Sequence, residues 1–161
     1  MRRASPIILV GLALALLVGC SEEVARTPQA RQHLPATIWI PRLELNERVT
    51  WYVDRGPAWW LRTGRPGGGE TIAIAGHRVT HTRPFRHLGR LRRGDLIRIR
   101  WRGRMYRYTV TGSRVLPGTD LHIGDAVGHE RLLLSACHPP GSAKYRLVVY
   151  ARPEANTRAD R

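Results

Sequence analysis

Three side chains of different chemistry stand at or inside short apolar runs of this 161-residue chain. Cys137 closes Leu132-Leu133-Leu134-Ser135-Ala136, and Arg146 follows nine positions later within Tyr145-Arg146-Leu147-Val148-Val149-Tyr150. Upstream, His77 ends Ala73-Ile74-Ala75-Gly76. A thiol, an imidazole and a guanidinium supply a nucleophile, an acid/base and an anion holder, the parts needed for acyl transfer through a cysteine thioester. The thiolate is the attacking form of cysteine, so Cys137 needs a base nearby. An imidazole can take that proton and later return one to the leaving amine.

From position alone these roles have rivals. His77 follows a buried strand and a glycine, which suits a ring projecting from a strand end, but a packing or capping histidine would look the same. His138 is a second candidate base. It neighbours Cys137, and adjacent strand residues face opposite sides unless the strand has ended; His138-Pro139-Pro140 suggests an ending. Arg146 reads first as a solvent-facing arginine on the polar side of its strand, like Arg98 and Arg100, although a charge in an apolar run is costly to bury unpaired. His77-x3-His81 has the spacing of a metal pair on a helix. Thr80, Thr82 and Pro84 disfavour a helix there, and Cys-x-x-Cys and His-Glu-x-x-His motifs are missing. The reading therefore includes no metal and no cofactor. Gly67-Gly68-Gly69 lacks the lysine and helix of a phosphate loop.

The elements that must position these groups read mostly as strands. Thr37–Ile40 is a short apolar run stopped by Pro41. Val49, Trp51 and Val53 alternate as a half-buried strand would. Thr71–Gly76 is apolar enough for a buried strand. Ile97 and Ile99 alternate with Arg98 and Arg100, and Arg102-Gly103 turns that run into Tyr106, Tyr108 and Val110 as a hairpin. Val115-Leu116-Pro117, Leu132-Leu133-Leu134 and Leu147-Val148-Val149 complete seven or eight strands. Helix is limited to one turn at Pro57–Leu61 and a short helix at Pro84–Leu91. Gly64–Gly69 is a loop. Many short strands with little helix indicate a small β-barrel or sandwich.

Both ends lie outside this core. Arg2-Arg3 precede an apolar run of 12 residues, Ile7 to Val18. A bilayer span needs about 17–25 residues, so the run suits an export signal better. It ends in Leu17-Val18-Gly19-Cys20, which resembles a lipobox: residues 1–19 would be the signal and Cys20 the lipidated first residue. An uncleaved anchor is the alternative. Residues 20–35 read as a polar tether, 36–153 as the folded domain and 154–161 as a disordered tail. The domain has room for one core without disulfides. Cys20 and Cys137 are the two cysteines, so Cys137 remains as the single thiol of an exported domain, a candidate reactive group. The net charge of +15 favours anionic partners such as wall polymer or anionic lipid. Since 26 of the 27 basic residues are arginine, codon bias accounts for part of it, and export argues against nucleic acid.

Taken in order, these pieces resemble the sortases, cysteine transpeptidases of Gram-positive envelopes. The resemblance runs from Ile38-Trp39-Ile40-Pro41 through Ala75-Gly76-His77-Arg78, Pro84-Phe85-Arg86-His87-Leu88, Leu91-Arg92-Arg93-Gly94-Asp95 and Tyr106-x-Tyr108-x-Val110 to Cys137 and Arg146. It implies a closed eight-stranded sortase-type β-barrel with one or two short helices. It implies Cys137 as nucleophile, His77 as acid/base and Arg146 as oxyanion or substrate holder, with Ser135 and Ala136 beside the substrate. The implied reaction cleaves a C-terminal Leu-Pro-x-Thr-Gly-like sorting motif through a thioester and passes the acyl group to an amine of wall precursor or pilin. The implied partners are surface proteins bearing that motif, and the implied place is the outer face of the cytoplasmic membrane. The short chain and the Cys137–Arg146 spacing look more like the class E or F types of actinobacteria than class A. Ala136 and Leu133 stand where the family often has threonine, which keeps in view a degenerate, lipid-anchored module binding anionic wall polymer. An L,D-transpeptidase would put glycine before the cysteine and arginine two residues after it, where Ala136 and Pro139 stand here.

Overall fold

A computed structural model describes residues 35–154; the expected signal, Cys20, the expected tether up to residue 34 and the tail after Glu154 lie outside the described residues. Eight strands form one sheet: β1 (Thr37–Ile40), β2 (Leu45–Arg48), β3 (Ala58–Trp59), β4 (Thr71–Ala75), β5 (Leu96–Trp101), β6 (Arg104–Pro117), β7 (Arg131–His138) and β8 (Tyr145–Pro153). Their spatial order is β2-β1-β5-β6-β8-β7-β4-β3, antiparallel throughout except for the parallel β4–β7 pair. The sheet curls strongly. The closed barrel implied by the resemblance is not a closed ladder among the described residues: β2 and β3 are the two ends, and Thr50, just past β2, makes a single parallel bridge to Ala58.

Alternation explains which strands have one wet face. Ile38 and Ile40 of β1, Ile97 and Ile99 of β5 and Tyr108 and Val110 of β6 are buried in the main core, with Arg98 and Arg100 on the other side. Arg98 stacks on Trp39 from that side, 4.1 Å from the ring centroid. The continuous apolar runs belong to β4, β7 and β8, which are covered on both faces. Leu132, Leu134 and Ala136 point into the main core, while Leu133, Ala73 and Val148 form a second cluster against Trp60, Leu116, Ile123 and Tyr150.

The β5–β6 hairpin turns at Arg102-Gly103, both with positive φ (50° and 75°), as a two-residue turn matched to strand twist requires. Val115–Pro117 is not a separate strand. β6 runs on to Pro117, paired with β5 up to Thr109 and with β8 from Tyr108 onward, and a bulge between Val110 and Gly112 shifts the β8 register.

Three local expectations fail. The strand at Val49–Val53 is replaced by β2 at Leu45–Arg48 and a 3-10 turn at Val53–Arg55, because Val49 is drawn into the core while Trp51 and Tyr52 stay exposed. Pro57–Leu61 is no helical turn; Ala58 and Trp59 form β3 against Ala75 and Ile74. The helix at Pro84–Leu91 is only the 3-10 turn Leu88–Arg90, with Phe85 and Leu88 buried. No α-helix occurs among the described residues, and none of their helices is long and apolar enough to cross a membrane.

Candidate functional site

The curled sheet places the ends of β4, β7 and β8 side by side. On β7 the alternation that sends Leu132, Leu134 and Ala136 to the core sends Leu133, Ser135 and Cys137 to the opposite face. Cys137 is in direct register with Arg146 of β8. Opposite residues of an antiparallel pair share a face. Arg146 therefore does leave the core, but it leaves it beside the thiol, with Nη1 3.6 Å from Cys137 Sγ. On the other flank β4 runs parallel to β7 with Ala75 opposite Ser135, and the Gly76 N–H extends the ladder by donating to Ser135 O at 3.0 Å. His77 follows directly after Gly76, past the last β4–β7 pair, and lines the same cavity as Cys137.

These residues open into one cavity of about 420 Å³ lined by His77, Ser135, Ala136, Cys137 and Arg146. Trp51, Trp60 and Leu121 give it apolar walls. The thiol is half-buried, forms no disulfide and accepts from Arg146 Nη1. Ser135 and Ala136 are each 2% exposed, so they meet the cavity through small surfaces at its floor.

Arg146 is held by its own turn. Nη1 donates to Ala143 O at 2.9 Å and Tyr145 O at 3.2 Å. Among the described residues its Nε and Nη2 donors have no partner, which leaves one edge of the guanidinium free for an oxygen in the cavity. Gly118 makes room for this arrangement. A Cβ there would stand 2.4 Å from Ala143 O and 3.4 Å from Arg146 Nη1.

His77 is engaged at both ring nitrogens: Nε2 lies 2.8 Å from Asp54 Oδ1 and Nδ1 3.0 Å from Thr80 Oγ1. An ionised carboxylate only accepts, so Nε2 carries a proton, and in the neutral ring Nδ1 accepts from the Thr80 hydroxyl. A hydroxyl also accepts, so the same contact serves the doubly protonated ring. The hydrogen bond from His77, with the nearby charge of His81, holds the Asp54 carboxyl below its ordinary range. Gly76 sets the chain entering His77 tightly against the core, since a Cβ there would stand 2.6 Å from Phe85 Cδ2.

His138 faces away from this group. It pairs with Tyr145, and Arg78 donates to its Nδ1 at 3.2 Å and to Cys137 O at 3.3 Å. Asp54 and Thr80 were not recognised in the sequence. Asp54 is 23 residues from His77, one position past the expected strand Val49–Val53, and nothing in the sequence pattern marks it. Thr80 stands three residues beyond His77, where only an assumed loop would have pointed to it.

A family model described as Sortase domain matches residues 37–154. A curated relative, Sortase SrtE1 of Streptomyces coelicolor, is 28% identical over 104 residues, covering 57% of this chain; the matched segment spans only 29% of that relative's length. The solved structure of Sortase E1 from Streptomyces coelicolor, determined with a tripeptide in the active site, superposes with a TM-score of 0.70 at 23% identity, covering 74% of this chain and 87% of that one. Sortase C-1 from Actinomyces oris gives 0.69 at 23% identity over 78% of this chain and 80% of its own. Sortase A from Corynebacterium diphtheriae gives 0.69 at 22% over 76% and 61%. At these identities the superpositions speak to the fold.

Proposed function

The chain belongs to the sortase family, and on that footing we propose that it is an exported cysteine transpeptidase that cleaves a Leu-Pro-x-Thr-Gly-like sorting motif and joins the acyl part to an amine. The observation that carries the reading is the register pair Cys137–Arg146 with His77 lining the same cavity.

In this reading the motif enters between Trp51, Trp60 and Leu121, whose apolar walls suit leucine and proline side chains. Cys137 Sγ, as thiolate, attacks the carbonyl carbon of the scissile peptide bond. The carbonyl π pair moves onto its oxygen, and the free edge of Arg146 holds that oxyanion. Collapse of the tetrahedral intermediate breaks the C–N bond, with His77 delivering a proton to the departing amine. An acceptor amine then attacks the thioester, gives its proton to His77 and releases the thiolate. Asp54 and Thr80 position the ring, and the Thr80 hydroxyl follows both protonation states without moving.

The same reading has Cys20 lipidated and the domain carried on the outer face of the cytoplasmic membrane, acting on sorting-signal proteins with wall precursor or pilin as amine source. Blocking lipoprotein signal peptidase should leave the precursor unprocessed; an unchanged mature mass would refute that part. The activity is tested with a panel of sorting-motif peptides and an amine, following the ligated product by mass spectrometry. Ligation by the native protein, lost in Cys137→Ala and His77→Ala, is expected. Hydrolysis and ligation absent with every peptide, in folded protein with a titratable thiol, would rule the activity out.

A further inference from the structure

Asp54 receives two imidazoles on one oxygen. His77 Nε2 stands 2.8 Å and His81 Nε2 3.3 Å from Asp54 Oδ1. The rings lie 4.5 Å apart and are inclined by 30°. A carboxylate that only orients a proton-carrying histidine needs one ring. The second arrives because the loop after β4 folds back, with His81 in the left-handed region at φ 52°. The i, i+4 spacing that on a helix would align His77 and His81 is met here by a loop that brings the two rings together.

We propose that Asp54, His77 and His81 form a divalent transition-metal site, suited to Zn²⁺, and that a bound ion withdraws His77 from the chemistry. The donor atoms all lie within 4.8 Å of one another. Zinc bonds of about 2.0–2.1 Å at a tetrahedral angle put donors about 3.3 Å apart. The His81–Asp54 pair already has that spacing, and the His77–Asp54 pair must open by about half an ångström. Two imidazoles and one carboxylate suit zinc and its neighbours, whereas calcium and magnesium take oxygen sets. Thr80 completes the outer shell. With Nε2 on the metal, Nδ1–H donates to the Thr80 hydroxyl, the arrangement that fixes tautomer and ring angle at histidine ligands. The three donors are open to solvent, with side-chain exposures of 62%, 23% and 47% for Asp54, His77 and His81, so an ion reaches them without unfolding.

Binding stands on this geometry alone; loss of activity rests on the function proposed above. The two are separated by titrating Zn²⁺ by calorimetry into the Cys137→Ala protein, where the thiol cannot contribute. One ion per chain is expected. In the same background His81→Asn, which accepts a left-handed backbone, should weaken binding by at least about tenfold, the smaller effect typical of losing an outer-shell partner. His81→Ala should agree with it. Absence of binding, or equal affinity in both variants, overturns the site. In parallel, Zn²⁺ should abolish peptide cleavage by the native protein and a chelator should restore it. His81→Asn should keep most of its own zinc-free rate at the same Zn²⁺ concentration. Unchanged cleavage by native protein with the site filled overturns the inhibitory role. If no peptide is cleaved with or without zinc, the transpeptidase reading fails while the calorimetry still decides the site.

Discussion

Replacing Arg146 by lysine separates the positive charge from the geometry that delivers it. The guanidinium is anchored through Nη1 to Ala143 O and Tyr145 O, with the same nitrogen at Cys137 Sγ, while Nε and Nη2 have no partner among the described residues and Arg146 lines the cavity. Lysine carries one ammonium on a flexible stem. It can stay with the turn carbonyls or reach the substrate oxygen, but not present two fixed edges. Removing one preorganised oxyanion donor costs about 2.7–4 kcal/mol, or about 10²–10³ in kcat. We therefore expect Arg146→Lys to lower kcat about 10²-fold, with KM changed by less than about threefold because the interaction strengthens only as the oxyanion forms. Ala143 and Tyr145 are exposed, so water replaces the lost donor, and stability should move by no more than about 0.5 kcal/mol. Initial rates with a fluorogenic sorting peptide and a saturating amine, beside thermal melts, give all three quantities. A kcat within about threefold of native, or a loss carried by KM alone, would refute the oxyanion assignment. A large fall in melting temperature would mean that Arg146 serves the fold.

Three further outcomes follow from neighbouring contacts. Thr80→Val should slow turnover, since Nδ1 of His77 loses the partner that follows its protonation state, while Thr80→Ser should restore it; equal rates in all three would remove Thr80 from the account. Glu130 accepts from Gly67 N, Gly69 N and the buried Tyr108 hydroxyl, whose titration is pushed strongly upward by burial and by this carboxylate. Glu130→Ala should cost about 1–3 kcal/mol by orphaning the Tyr108 donor, and Glu130→Gln less; denaturant melts of the two variants check the order. Burial raises the Glu47 carboxyl above its ordinary value of 4.5. A raised carboxyl subtracts stability once ionised, above its folded value, and subtracts none when protonated in both states. Glu47→Gln should thus melt higher than native at pH 7, with the gap closing as the pH falls below 4.5; a gap that widens in acid would reverse the sign.

The legible parts of this molecule are those with a local cause. Period-two alternation located β5 and the first half of β6, a short apolar run stopped by Pro41 located β1, and Arg102-Gly103 located the hairpin. Continuous apolar runs marked β4, β7 and β8, which are covered on both faces. What sequence missed depends on distant pairing. Leu45–Arg48 has little apolar pattern and is a strand because β1 pairs with it. Ala58-Trp59 is a strand because β4 does. Arg146 was unreadable for a related reason. An arginine on the polar side of a strand is ordinary until the β7–β8 register sets it opposite Cys137. Asp54 and His81 converge on His77 through two loops, and loop closure leaves no periodicity to read.

Acyl transfer through Cys137 is read out by the intact mass of the protein after brief mixing with a sorting-motif peptide in the absence of added amine. The predicted result is an adduct of the N-terminal peptide fragment on Cys137, labile to hydroxylamine and absent in Cys137→Ala. Peptide cleavage without an adduct on Cys137 under rapid quench, or cleavage that persists in Cys137→Ala, would contradict it.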